Sequence, residues 1–242
     1  MNNYLQAIGL EKSYHAKKVV DQVSIRVKKG EIVGLLGPNG AGKTTTFSMI
    51  LGLISQDAGH VYLYDEDITA LPMYIRAKKG LCLLPQEPSV FRKLSVKDNL
   101  LAVDQMKRPF LSKGNGDWVK ILERFGLKRL AQAKAYTLSG GERRRLEIAR
   151  ALITDPEFIL LDEPFTGIDP LAVIDLQEII TSLKEKGIGL LITDHCVRET
   201  LKIADRAYIM DKGKILKEGT PEELVASTDV KSRYLGEGFY FD

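Results

Sequence analysis

Ile32-Val33-Gly34-Leu35-Leu36-Gly37-Pro38-Asn39-Gly40-Ala41-Gly42-Lys43-Thr44-Thr45 is the stretch that decides how this chain folds. Its first five residues form a short continuous apolar run, the pattern of a strand buried on both faces. From Thr44 the period becomes helical, with Phe47, Ile50, Leu51 and Ile54 on one face. Between strand and helix, residues 37–44 fit GxxxxGKS/T in the setting that motif requires. Glycines let successive backbone N–H groups turn inward and cradle phosphate oxygens, and a helix N-terminus adds free donors and about half a positive charge. Lys43 supplies a full charge to the outer phosphates, and the Thr44 hydroxyl suits Mg²⁺. Gly37, Pro38, Asn39, Gly40, Ala41, Gly42, Lys43, Thr44 and Thr45 are therefore the expected nucleotide-binding residues. The alternative is a Gly-rich turn carrying an exposed lysine.

Working outward, Val23, Ile25 and Val27 alternate with polar residues as a half-buried strand does, and Lys28-Lys29-Gly30 turns it into the 32–36 run. Further apolar runs at 61–64, 81–84, 158–161, 190–193 and 207–210 are mostly separated by helical stretches, which predicts an α/β fold with a parallel sheet covered on both faces. Residues 90–156 show helical periodicity, with a polar break at 113–117, and predict a helical subdomain inserted into that core. Asp211-Lys212-Gly213 marks a hairpin. The tail carries Tyr234, Phe239, Tyr240 and Phe241, aromatics that need cover from the chain's own surface or from another subunit. The division expected is a core of 1–88 and 157–227, a helical subdomain of 89–156 and a tail of 228–242, together one domain.

The 242 residues carry 35 Lys+Arg against 32 Asp+Glu, with 44% hydrophobic and 28% charged, which excludes disordered and fibrous classes. Charge this balanced argues against a nucleic-acid partner, and Arg143-Arg144-Arg145 reads as a solvated helix face. No apolar run approaches the ~20 residues that span a bilayer, and the N-terminus lacks a leader pattern, so a cytoplasmic location without a membrane span is expected. Cys82 and Cys196 are too few for a disulfide framework.

Residues 158–163 drive an apolar strand through the core and end in Asp162-Glu163, at the edge where ligands bind in open α/β sheets. Asp162 suits Mg²⁺, and Glu163 is placed to accept a proton from an attacking water. Ser139-Gly140-Gly141-Glu142 forms an S-x-x-E capping box, and a capped helix start with two glycines is also an anion site.

At residues 138–142, Leu-Ser-Gly-Gly-Glu, the sequence resembles the signature of the ATP-binding-cassette ATPases. The resemblance covers about residues 5–219. It implies a P-loop NTPase (RecA-like) core with an antiparallel β subdomain and an inserted α-helical subdomain. It also implies that residues 139–142 act on ATP held by a second subunit. Tyr14 is similar to the aromatic that stacks on adenine, although a core or surface tyrosine is the plainer reading. Gln86 resembles the glutamine that touches Mg²⁺ or the attacking water. Asp169, after Thr166-Gly167-Ile168 where Ser-Ala-Leu is commoner, resembles the aspartate at the dimer interface. His195 resembles the switch histidine that reaches the γ-phosphate. Residues 84–96, 194–201 and 234–237 look like the subfamily that powers lipopolysaccharide export, with branched-chain amino-acid importer ATPases as the alternative.

On that resemblance the chain is expected to be an ATPase that forms a homodimer around two ATP molecules, with Mg²⁺ held by Thr44, Gln86 and Asp162. It would sit on the cytoplasmic face of the inner membrane against two integral membrane permease subunits, with Phe91 and Arg92 transmitting the motion. Those two residues could equally be a buried aromatic and a solvated arginine. A soluble cassette that clamps RNA, DNA or a ribosome is the competing class, disfavoured because such proteins usually carry two cassettes or a long insertion.

Overall fold

The β-hairpin and helix periodicities read from the sequence resolve, in a computed structural model, into two sheets and a helical layer; the residues described are 3–15, 17–107, 117–236 and 238–239. Strands β1 (Tyr4–Tyr14), β2 (Lys17–Lys28), β4 (Ala58–Leu63) and β5 (Glu66–Asp67) form an antiparallel sheet in the order β2-β1-β4-β5. Strands β3 (Ile32–Leu36), β6 (Leu81–Leu84), β7 (Phe158–Asp162), β8 (Gly189–Thr193), β9 (Arg206–Asp211) and β10 (Lys214–Gly219) form a second sheet, ordered β10-β9-β3-β8-β7-β6. The pairs within it are parallel except the edge pair β9-β10, which is an antiparallel hairpin with Asp211 opposite Lys214. Lys212 and Gly213 occupy the two-residue loop at φ 45° and 83°, the left-handed backbone a type I′ turn requires.

The apolar runs are continuous because both faces of the second sheet are covered. Val33, Leu35, Phe158, Leu160 and Leu191 point to one core, shared with the antiparallel sheet and with helix α1 (Lys43–Leu51). Ile32, Ile159, Leu161, Leu190 and Ile192 point to the other. That second core is closed by α3 (Val96–Lys107), α4 (Asp117–Arg124), α5 (Gly140–Ile153) and α6 (Pro170–Glu185), which follow the short α2 (Met73–Lys78). Alternation of period two thus serves two cores at once.

Three expectations change. The 61–64 run, grouped with the parallel strands, belongs to β4, which pairs antiparallel with β1. Ile54 is not on the helical face with Phe47 and Ile50, because Gly52 adopts φ 74° and ends α1 in a left-handed cap. Arg144 is not on a solvated face: it is 6% exposed, in an ion pair with Glu147 at 2.9 Å. Residues 113–116 of the polar break lie outside the described residues, as do Tyr240 and Phe241. Tyr234 and Phe239 pack on a third apolar cluster with Leu36, Leu201, Ile209, Leu224 and Val230, next to α7 (Val197–Leu201) and α8 (Pro221–Val225), so this part of the tail is covered by its own chain. Burial there pushes the Tyr234 hydroxyl up to about 12.

Candidate active site

The C-terminal ends of β3, β6, β7 and β8 converge, and each releases a loop carrying polar residues. After β3 the loop turns through three glycines, two of which no other residue could replace without movement. A Cβ on Gly37, at φ 151°, would lie 2.0 Å from the Met210 carbonyl oxygen, and one on Gly42, at φ 104°, 2.7 Å from the Val19 carbonyl oxygen. Lys43 begins α1 and turns back over the loop, its Nζ donating to the carbonyls of Gly37 (2.7 Å) and Pro38 (3.0 Å). Burial lowers the Lys43 ammonium from its ordinary range, and the charges of Glu163, Asp162 and Asp194 work in the opposite sense. A desolvated cation at a helix N-terminus suits an anion. Asn39, Gly40, Lys43, Thr44, Thr45 and Glu163 line one cleft above the loop.

β7 ends with Asp162, whose Oδ1 accepts the Thr193 hydroxyl from β8 at 2.6 Å. Glu163 follows at φ 46°, a left-handed conformation that costs a non-glycine residue about 1 kcal/mol. Its N–H donates to the Thr193 carbonyl at 2.7 Å, and this pairing holds the bend. The bend brings the Glu163 carboxylate to a meeting point. Its Oε2 accepts from Gln86 Nε2 at 2.8 Å and from the Thr166 hydroxyl at 3.3 Å, and lies 3.2 Å from His195 Nδ1. Asp194, fully buried, accepts the N–H groups of Phe165 (2.9 Å) and Cys196 (2.8 Å) and so fixes the loops on either side.

At the start of α5, Ser139 Oγ accepts from Glu142 N at 3.3 Å, while the Ser139 N–H donates to Glu142 Oε2 at 3.0 Å; this backbone contact lowers the Glu142 pKa. Of residues 139–142, none lines the phosphate-loop cleft, and Gly140 lines a neighbouring cleft with Gln86, Glu163 and Thr166. Asp169 caps α6, its Oδ1 accepting from Ala172 N at 3.0 Å. Tyr14, at the end of β1, is 44% exposed. Phe91 is 42% exposed, with the Arg150 guanidinium 4.7 Å from its ring centre, and Arg92 is also exposed. Phe91 is therefore not the buried aromatic of the plainer reading.

The structure brings Gln86, Asp162, Glu163 and His195 to the mouth of the phosphate loop. Tyr14, Asp169, Phe91 and Arg92 make no hydrogen bond or ion pair with that cluster, and of residues 139–142 only Gly140 borders it, across the neighbouring cleft. Sequence reading missed Thr166, Thr193 and Asp194. It also missed the row Arg144, Glu147 and Arg150 on α5, which grips the loop on either side of Gln86. Arg144 donates to the Pro85 carbonyl at 2.9 Å, Glu147 accepts from Ser89 N at 2.7 Å, and Arg150 donates to the Ser89 carbonyl at 2.6 Å. Spacing of three places these charges on one helix face but does not say which way that face points.

A family model described as ABC transporter matches residues 20–166. This chain belongs to the ABC transporter ATP-binding family. It is 51% identical to a protein of Escherichia coli K12 named lipopolysaccharide export system ATP-binding protein LptB, over 97% of this chain and 98% of the relative. Identity to the protein of the same name from Acidithiobacillus ferridurans is 54%, over 99% of each. A solved ATP-binding cassette of an ABC transporter in its ADP conformation matches with a TM-score of 0.87 at 32% identity, covering 98% of this chain and all of that one. The same cassette architecture explains the α/β core, the antiparallel sheet and the helical layer of this ABC ATPase.

Proposed function

We propose that this ABC ATPase is the ATP-hydrolysing subunit of a lipopolysaccharide export transporter, working as a pair of copies around two ATP molecules. The observation that carries the catalytic part is the Glu163 carboxylate, held by Gln86 and Thr166 and facing His195 beside the phosphate loop. The substrate class rests on the names of relatives that are 51–54% identical over nearly the whole chain; branched-chain amino-acid import has no comparable support.

Lys43 and the loop amides bind the phosphates, Tyr14 offers an exposed ring to the base, and Glu163 takes the proton of the attacking water. Thr44, Asp162 and Gln86 offer the hard oxygen donors that suit Mg²⁺, which when bound neutralises phosphate charge. Ser139 to Glu142 stand outside their own phosphate-loop cleft, and a second copy supplies that helix start, with Asp169 at the seam. Phe91 and Arg92 face outward for contact with two integral membrane permease subunits on the cytoplasmic side of the inner membrane. Among the described residues no helix is long and apolar enough to cross a membrane.

Depletion of the chain in its own cell is the test. Lipopolysaccharide should accumulate in the inner membrane, and the detergent-solubilised chain should copurify with integral membrane subunits. Normal delivery of lipopolysaccharide on depletion, lost uptake of branched-chain amino acids, or copurification with ribosomes would overturn the reading.

A further inference from the structure

The turn after β8 carries Asp194, His195 and Cys196 in succession, and one ligand atom from each lies within 4.8 Å of the others. The Asp194 carboxylate is locked by the Phe165 and Cys196 N–H groups, one on each oxygen. His195 Nδ1 lies 3.9 Å from Asp194 Oδ1 and 3.2 Å from Glu163 Oε2. Carboxylate oxygen, imidazole nitrogen and thiolate sulfur together are the donors of zinc-class ions, whereas Mg²⁺ takes oxygen alone. This separates the turn from the oxygen donors Thr44 and Asp162.

We propose that Asp194, His195 and Cys196 form a site for a zinc-class divalent ion, with Glu163 as fourth ligand, and that filling it stops ATP hydrolysis. Tetrahedral zinc with bonds of about 2.0 to 2.3 Å sets its ligand atoms roughly 3.3 to 3.7 Å apart. The 3.2 Å between His195 and Glu163 is already at that edge, and the Asp194, His195 and Cys196 atoms, within 4.8 Å of one another, close by about 1 Å through side-chain rotation of His195, whose side chain is 51% exposed, and of the partly exposed Cys196. The Cys196 thiol gives its proton to solvent as the metal–sulfur bond forms, and no group is oxidised. A single ion then occupies both the proton acceptor Glu163 and the histidine that faces it. The proposed hydrolysis makes no use of Cys196, so the site is additional to it.

Titration of the nucleotide-free full chain with Co²⁺ tests the binding without turnover. One near-ultraviolet thiolate-to-cobalt absorption per chain is expected, kept in Cys82→Ser, lost in Cys196→Ser and in His195→Ala, and bleached by Zn²⁺. In Mg·ATP assays, micromolar Zn²⁺ should suppress hydrolysis by wild type, and Cys196→Ser, with its zinc-free rate retained, should need at least about tenfold more. An absent band, or one that persists in Cys196→Ser, overturns the site. Equal zinc sensitivity of the two proteins also overturns it and places the inhibition at the Mg²⁺ donors. Lack of zinc-free hydrolysis would count against the ATPase reading alone, since the cobalt band does not depend on it.

Discussion

Gln86 Nε2 donates to Glu163 Oε2 at 2.8 Å, joining residues 77 apart in sequence. The bond ties the loop that enters the helical layer to the end of β7. The row on α5 holds the same loop by hydrogen bonds, so one loop joins α5 to the Glu163 carboxylate.

Glu163→Gln keeps the shape and the contact with Gln86 but cannot take a proton. ATP binding should persist while steady-state phosphate release falls at least about 10²-fold, and an ATP-bound pair should accumulate in sedimentation. Unchanged phosphate release would remove Glu163 from the role of base.

Lys43→Ala deletes the cation that the proposed function sets against the phosphates. Nucleotide affinity measured by calorimetry should weaken by at least about tenfold, or ~1.4 kcal/mol, the scale of one charge-assisted contact. An unmoved affinity contradicts the phosphate role of Lys43.

Gly37→Ala and Gly40→Ala should differ sharply. A Cβ on Gly37 meets a backbone oxygen at 2.0 Å, whereas one on Gly40, at φ 77°, meets nothing within 4 Å. Gly40→Ala should cost only the left-handed backbone penalty of about 1–2 kcal/mol. Gly37→Ala should cost more and distort the loop. Thermal unfolding and ATP binding of the two variants check this, and equal melting temperatures would refute it.

Glu147→Ala leaves Arg144 buried without its ion-pair partner and frees Ser89 N, both in an interior where Glu147 is 3% exposed. The loss should be about 3–5 kcal/mol in urea unfolding. Glu147→Gln, whose single amide oxygen keeps one of the two hydrogen bonds, should lose less.

Cys82 supplies a pH dependence. Burial pushes its thiol up to about 11 from 9.0. The folded state favours the neutral thiol, so the unfolded chain ionises first and stability falls as pH rises from 9 towards 11. One pKa unit is about 1.4 kcal/mol, so the group accounts for roughly 2 to 3 kcal/mol across that window. The difference in unfolding free energy between wild type and Cys82→Ala should change by that amount, and parallel pH curves would refute it.

The phosphate loop, its strand and its helix were legible because neighbours in sequence make them: glycines, a lysine and a change of period within fourteen residues. The same holds for Asp162-Glu163 at a strand end and for the capping box at Ser139 and Glu142, whose hydrogen bonds span three residues. Arg144 was misread because charge alone suggests solvent, and only the position of Glu147 and the Pro85 carbonyl shows that its guanidinium is satisfied indoors. Thr166 and Asp194 carried no signal of their own, since a threonine and an aspartate in loops are ordinary residues until a partner is placed opposite them.

By itself, then, the sequence determined the element types, the anion-binding loop and the chemical character of each strand end, all set by local backbone preference and side-chain periodicity. The tertiary structure alone decided that β6, β7 and β8 lie side by side in that order, because pairing between distant strands depends on which faces can be buried together. That order is what brings Gln86 and His195 onto the carboxylate of Glu163.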